Sequence, residues 1–262
     1  MTFAEKYGPW ALIAGGSEGI GASFARQIAA QGVNLILLAR KREPLQELAQ
    51  QIRQAANVQV RAESVDLSAP DLNRRVRELT AGVEVGMVVY NAGAESRMVP
   101  FLDRPLEELM RVVGVNVTGP TMLLHELAAA MRDRRRGAIV VVGSMAGFAG
   151  GSRMAVYTAS KAYEQMLTET LWWELKPFGI NVLMLIAGST KTPAMARMGV
   201  NLEGTGQPVM DPDDVAREGL DNIENGPTWV AGEHNRAAAR FMCTADRRAA
   251  VEMVSSSADA MG

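Results

Sequence analysis

The chain has 262 residues, of which 48% are apolar and 21% charged, with a formal net charge of −2. That is the profile of an ordinary globular protein, which excludes disordered and fibrous classes, and it holds no cationic excess to neutralise nucleic-acid phosphates. One cysteine, Cys243, and two separated histidines, His125 and His234, exclude an internal disulfide and give no metal-ligand cluster.

Short apolar runs alternate with helical patterns. Trp10–Ala14 reads as a strand ending in glycines, and Phe24–Ala30 as the body of the following helix. Val33–Ala39 is a second strand, and Pro44–Ala55 a helix with Leu45, Leu48 and Ile52 at helical spacing. Strand Val58–Val65, helix Leu72–Leu79 and strand Gly86–Tyr90 follow, then one long helix over about Leu106–Met131. The basic run Arg132–Arg136 reads as the solvated end of that helix. Ala138–Val142 is an uninterrupted apolar strand, Ala155–Leu175 a helix and Asn181–Ile186 a strand. Beyond an irregular stretch, Asp211 or Asp213 caps a helix with body Val215–Ile223, and Thr228–Ala231 is a short strand. The tail, 235–262, reads as helical.

Apolar strands separated by helices predict a doubly wound parallel sheet of about seven strands, with helices on both faces and a single domain over 1–262. Such sheets bind ligands beyond the carboxyl ends of their strands. The longest apolar stretches fall short of the roughly 18–20 residues that span a bilayer, and the N-terminus lacks the pattern of a signal peptide. The expectation is a soluble cytoplasmic protein without membrane or nucleic-acid partners.

Strand one runs into Gly15-Gly16-Ser17-Glu18-Gly19-Ile20-Gly21 and then a helix. Glycines between a strand and a helix N-terminus let backbone amides approach a pyrophosphate, so Gly15, Ser17, Glu18, Gly19, Ile20 and Gly21 are cofactor candidates. Where an NAD site carries an acid after strand two, this chain has Ala39-Arg40-Lys41-Arg42. A guanidinium at Arg40 suits a 2′-phosphate, so NADP(H) is preferred, with NAD(H) as the alternative. Glu18 argues mildly the other way.

Tyr157 and Lys161 are four residues apart and share a helix face. A phenol near an ammonium can exchange a proton with a substrate oxygen while hydride moves to or from a nicotinamide. Ser144, just past a strand end, can hydrogen-bond the same oxygen. Asn116 lies in the long preceding helix.

With these motifs in this order, the chain resembles the short-chain dehydrogenase/reductase superfamily, the shorter single-domain type, over about Pro9–Thr192 and more loosely over Val215–Ala231. The resemblance implies that Tyr157 is the acid/base, that Lys161 tunes it and binds ribose hydroxyls, that Ser144 polarises the carbonyl, and that Asn116 holds a water on a proton relay. It implies that Asp66 and Leu67 contact adenine, that Asn91, Ala92 and Gly93 line the cofactor, and that Ile186–Thr192, including Gly188, Thr190 and Thr192, walls the nicotinamide. Leu35–Leu48 resembles the NADP-preferring branch. Ala14 and Ala187 depart from the usual Thr and Pro, which implies weaker or more mobile cofactor binding.

Substrate choice is expected in a lid over 192–210, where glycines 199, 204 and 206 suggest mobility. Met145, Met154, Met195 and Met198 are the substrate candidates, since methionine adapts to irregular apolar ligands. They suggest a small hydrophobic alcohol or carbonyl. Arg153 and Arg197 are weaker candidates for meeting a substrate carboxylate. The resemblance also implies a homodimer or homotetramer formed through the two long helices, with Trp172 and Trp173 on different sides of the second. The alternatives are an NAD-dependent alcohol dehydrogenase of the same family and a non-catalytic dinucleotide-binding regulator.

Overall fold

The structure, a computed structural model, describes residues 1–93, 97–199 and 208–260. Its centre is a parallel sheet in the order β3-β2-β1-β4-β5-β6-β7. The strands are β1 (Trp10–Ala14), β2 (Asn34–Ala39), β3 (Val60–Ser64), β4 (Val85–Tyr90), β5 (Gly137–Ser144), β6 (Ile180–Ala187) and β7 (Thr228–Val230). The helices are α1 (Phe3–Tyr7), α2 (Gly19–Ala30), α3 (Arg42–Ala55), α4 (Leu72–Thr80), α5 (Leu106–Val113), α6 (Gly119–Arg134), α7 (Ala155–Leu175), α8 (Pro193–Arg197), α9 (Pro212–Asp221), α10 (Glu233–Thr244) and α11 (Arg247–Ala260). No helix among the described residues is long and apolar enough to cross a membrane.

The alternation of side chains along the central strands divides the core in two. Ile13, Leu37, Val89, Val140 and Leu185 face one way and meet Phe24, Ile28, Leu48 and Val215 from α2, α3 and α9. Leu12, Leu38, Val88, Tyr90, Val141 and Ile186 face the other way and meet Leu72, Leu123, Leu127 and Leu175 from α4, α6 and α7. Both faces are thus covered, which is why these strands read as unbroken apolar runs. The strand order reverses between β1 and β4, and a crevice opens there beyond the carboxyl ends of the strands.

Three expectations need correction. The helix anticipated over about Leu106–Met131 is two helices joined by a π turn at Gly114–Thr118. Two contacts support that wide turn. The Tyr90 hydroxyl donates to the Val115 carbonyl at 2.5 Å. Gly119 packs so closely that a Cβ there would lie 2.6 Å from the Leu67 carbonyl oxygen and the Tyr90 hydroxyl. The helical tail is also two helices, because Asp246 caps a new one by accepting from the amides of Arg248 and Ala249 at 2.9 and 3.1 Å. Nor is the basic run only solvated. Arg134 donates to the Val85 carbonyl at 2.8 Å, and Arg136 donates to the Glu5 carbonyl at 2.9 Å and pairs with Glu84. Together these clamp the start of β4.

Glu218 on α9 ties down the end of the sheet. It accepts from Trp229 Nε1 at 2.9 Å, the Gly232 amide at 3.1 Å and Arg236 Nη1 at 3.0 Å. Burial disfavours its charge, but the bonds from Trp229, Arg236 and Gly232 outweigh burial and hold the carboxyl below the usual range. Glu218→Ala is expected to lower Tm by about 5 °C, reflecting a loss of about 2 kcal/mol. The contribution is present above the ordinary carboxylate value and is lost as pH falls through the lowered one. Melting curves of variant and wild type should therefore converge in acid.

Candidate active site

The crevice at the ends of β1, β4, β5 and β6 is a cavity of about 760 Å³. On one side lies the glycine turn. Gly15 and Gly19 have φ of +82° and +56°, and a Cβ on Gly15 would lie 2.6 Å from the Ala92 amide nitrogen. Asn91 Nδ2 donates to the Gly15 carbonyl at 2.9 Å, which locks the turn to the end of β4. A turn so close to its neighbours leaves the N-terminus of α2 open toward the cavity, and its backbone donor set suits a pyrophosphate. Glu18 does not face that position as an uncompensated charge: it pairs with Arg197 of α8, with one contact at 2.9 Å.

Arg40, exposed at the end of β2, lines the same side as Ser17, Ile20, Leu67 and Ala92. Asp66 accepts from the Ser68 hydroxyl at 2.7 Å and its amide at 2.9 Å. These bonds, helped by the Arg40 and Arg111 guanidiniums, hold the carboxyl below the usual range against partial burial.

In the middle of the cavity, α7 presents Tyr157 and Lys161. Lys161 is buried, and its Nζ lies 5.9 Å from the Tyr157 ring centroid. It donates to the Val142 carbonyl at 3.2 Å and to Glu164 Oε2 at 2.7 Å. Burial works against the ammonium, but the charges of Glu164 and Tyr157 outweigh it and keep the Lys161 pKa raised. Ser144, at the end of β5, accepts from the Ala146 amide at 3.2 Å, which leaves its hydroxyl proton free to be donated. Asn116, buried in the π turn, donates to Ser160 Oγ at 2.9 Å, and Ser160 donates to the Tyr157 carbonyl at 2.8 Å. Gly93 closes the group: its φ is +133°, and a Cβ there would lie 2.8 Å from Asn116 Oδ1 and 3.0 Å from Lys161 Nζ. Only glycine allows the loop after β4 to pass so near the ammonium.

A sequence model of the short chain dehydrogenase family matches residues 9–202. The chain belongs to the short-chain dehydrogenases. This dehydrogenase is 32% identical over 236 residues to the 7beta-hydroxysteroid dehydrogenase of Clostridium sardiniense, covering 90% of each chain. It is similar to a structure of a 7beta-hydroxysteroid dehydrogenase studied for its stereoselectivity, with 27% identity and a TM-score of 0.90 over 97% of this chain and 99% of that one. A short-chain dehydrogenase from Sphingobium yanoikuyae in complex with NADPH is 30% identical, with a TM-score of 0.77 over 91% and 97% of the two chains. The chain is thus an NAD(P)-dependent oxidoreductase acting on CH–OH or C=O groups.

Most residues singled out in the sequence of this dehydrogenase line one cavity. Besides those described, they include Gly188, Thr190, Thr192, Met145, Met154, Met195 and Met198. Thr192 caps α8 by accepting from the Met195 amide at 3.3 Å. A Cβ on Gly188 would lie 2.3 Å from Asn235 Oδ1, so that glycine seats α10 against the site. Gly21 and Asp66 do not line the cavity. Gly21 instead packs α2 against the turn, where a Cβ would lie 2.1 Å from the Gly15 carbonyl oxygen. Arg197 is engaged by Glu18, and Arg153 donates to the Ala258 carbonyl at 2.8 Å and pairs with Asp259. Both arginines are thus engaged in chain contacts, and Arg197 lines the cavity as well. Of the lid over 192–210, residues 200–207, with Gly204 and Gly206, lie outside the described residues.

Sequence reasoning missed several parts of the site, α10 with Asn235, Ala238 and Met242 among them, and two others matter most. The far wall is α11, which contributes Met253, Val254 and Ser257 and is strapped on by Ser152 N–Ser255 Oγ at 3.1 Å and Arg247 Nη1–Phe148 O at 3.0 Å. The other is Glu164, whose position three residues past Lys161 places it on the same helix face.

Proposed function

We propose that the chain interconverts a bulky, apolar secondary alcohol and its ketone, of hydroxysteroid size, with NADP(H). The observation that carries this reading is the lining of this cavity: glycine turn and Arg40 at one end, Ser144, Tyr157 and Lys161 in the middle, and an apolar end walled by Met145, Met154, Met195 and α11. The 7beta-hydroxysteroid dehydrogenase relatives support the substrate class, and the NADPH-bound neighbour supports the cofactor.

The glycine turn and Arg40 would hold the dinucleotide, the turn through its amides and Arg40 through a 2′-phosphate. When bound, the nicotinamide supplies or accepts the hydride. In the reductive direction Ser144 donates its hydroxyl to the ketone oxygen, and Tyr157 passes its phenolic proton to that oxygen as the alcohol forms. The Lys161 ammonium stabilises the phenolate left behind. Oxidation reverses these transfers. Asn116 and Ser160 hold the backbone of Tyr157, and with it the phenol, in place. Residues 192–210 serve as the lid.

Self-association is part of the same proposal. Leu106 and Met110 on α5 and Met166 and Trp173 on α7 are exposed, Trp173 to 69%, whereas Trp172 packs on the core. A homodimer or homotetramer formed through that face is read directly by sedimentation velocity.

Titration with NADPH and NADH tests the cofactor. The wild-type chain should bind NADPH more tightly, and Arg40→Ala should weaken NADPH about tenfold, ~1.4 kcal/mol, while leaving NADH unchanged. Equal or tighter binding of NADH by the wild type would reverse the assignment to NAD.

A further inference from the structure

Tyr157, Lys161, Glu164 and Thr168 fall on one face of α7, and the last three are buried, Glu164 and Thr168 fully. Glu164 Oε2 accepts from Lys161 Nζ at 2.7 Å, whereas Glu164 Oε1 is buried without a hydrogen-bond partner among the described residues. Stability does not explain this arrangement. A buried ion pair contributes little compared with an apolar side chain of similar volume, and its orphaned oxygen is a further cost. The ammonium has three donors. Two are taken from below, by Val142 and Glu164, which leaves one for the cavity.

We propose that Glu164 is a positioning residue for the Tyr157–Lys161 pair: its carboxyl anchors the ammonium from beneath and sets how much of that positive charge reaches Tyr157. The inference rests on the proposed function, in which Tyr157 exchanges the proton. An ionised Glu164 offsets part of the Lys161 field, and a protonated one releases it. The titratable groups facing Glu164 are Lys161 on its own helix, with Tyr157 beyond it, and Tyr90 from β4. Burial, with Glu164 nearby, pushes the Tyr90 phenol well above its usual range, so Tyr90 stays neutral. Burial also raises Glu164 itself to about 7 against the pull of Lys161.

The test compares wild type, Glu164→Gln and Tyr157→Phe. Ultraviolet difference titration of the free enzyme reads phenolate formation, and the step missing in Tyr157→Phe belongs to Tyr157. In Glu164→Gln that step, and the pH limb of alcohol oxidation, should move about one pH unit lower, a tenfold rise in phenolate on the limb. A purely structural role would change Tm and leave the step in place. Should Glu164→Gln fail to fold, Glu164→Asp, which retracts the charge by one methylene, should move the step the same way by less. If Tyr157→Phe is inactive yet the step in the Glu164 variant matches wild type, the role of Glu164 is wrong and the reading of Tyr157 stands. If Tyr157→Phe keeps wild-type turnover, both fall.

Discussion

Tyr157→Phe should lower kcat by about a thousandfold while leaving the fold and NADPH binding unchanged, in line with the usual effect of removing a positioned general acid. The substitution deletes one hydroxyl from a half-buried side chain that lines the cavity, so little packing is lost. Ser144 can still hydrogen-bond the substrate oxygen, but an aliphatic hydroxyl is a far weaker acid than a phenol and makes a poor proton donor. The loss should therefore appear in kcat more than in KM. Calorimetric titration with NADPH and steady-state kinetics with one ketone check both halves.

Lys161→Met should be worse, because it removes two things at once. Activity should fall at least as far as in Tyr157→Phe, and NADPH should bind more weakly. The fold should also lose stability, since Glu164 would keep a buried carboxyl without its cation. Breaking a buried pair from one side typically costs about 3–5 kcal/mol. The sign of the pH dependence follows from Glu164, whose carboxyl already sits at about 7 in the wild type. Without the pull of Lys161 the carboxyl rises further, so the variant loses stability progressively as pH climbs from the ordinary carboxylate range through that raised value. Urea midpoints at pH 5.5 and 8.5 should show the larger loss at the higher pH. Lys161→Met combined with Glu164→Leu should recover the stability and not the activity.

Much of this architecture is legible in the chain. Ala138–Val142 could only be a strand buried on both faces, and the glycines after Ala14 mark the turn that opens the cavity. Tyr157 and Lys161 meet because four residues make one helical turn. What escaped reading depends on contacts distant in sequence or on features that periodicity does not register. A π turn keeps the apolar pattern of an α-helix, so the wide turn that buries Asn116 emerges only when Tyr90 is seen donating to Val115. The wall formed by α11 depends on Arg153 and Ser152 meeting residues about a hundred positions later. Glu164 looks like any mid-helix carboxylate until its neighbours are in place. Helix α1 is a different case. Thr2 and Glu5 form a capping box in which the Thr2 amide donates to Glu5 Oε2 at 2.6 Å, a local signal present in the first five residues.

The most direct measurement mixes the purified chain with NADPH and a keto-steroid and follows the loss of NADPH absorbance, with a small ketone and Tyr157→Phe in parallel. The expected result is steady consumption with the steroid, far slower consumption with the small ketone, and none above background in Tyr157→Phe. A chain that binds NADPH yet turns over the small ketone as fast as the steroid, or that consumes NADPH equally well as Tyr157→Phe, would contradict the reading of the cavity and of its proton donor.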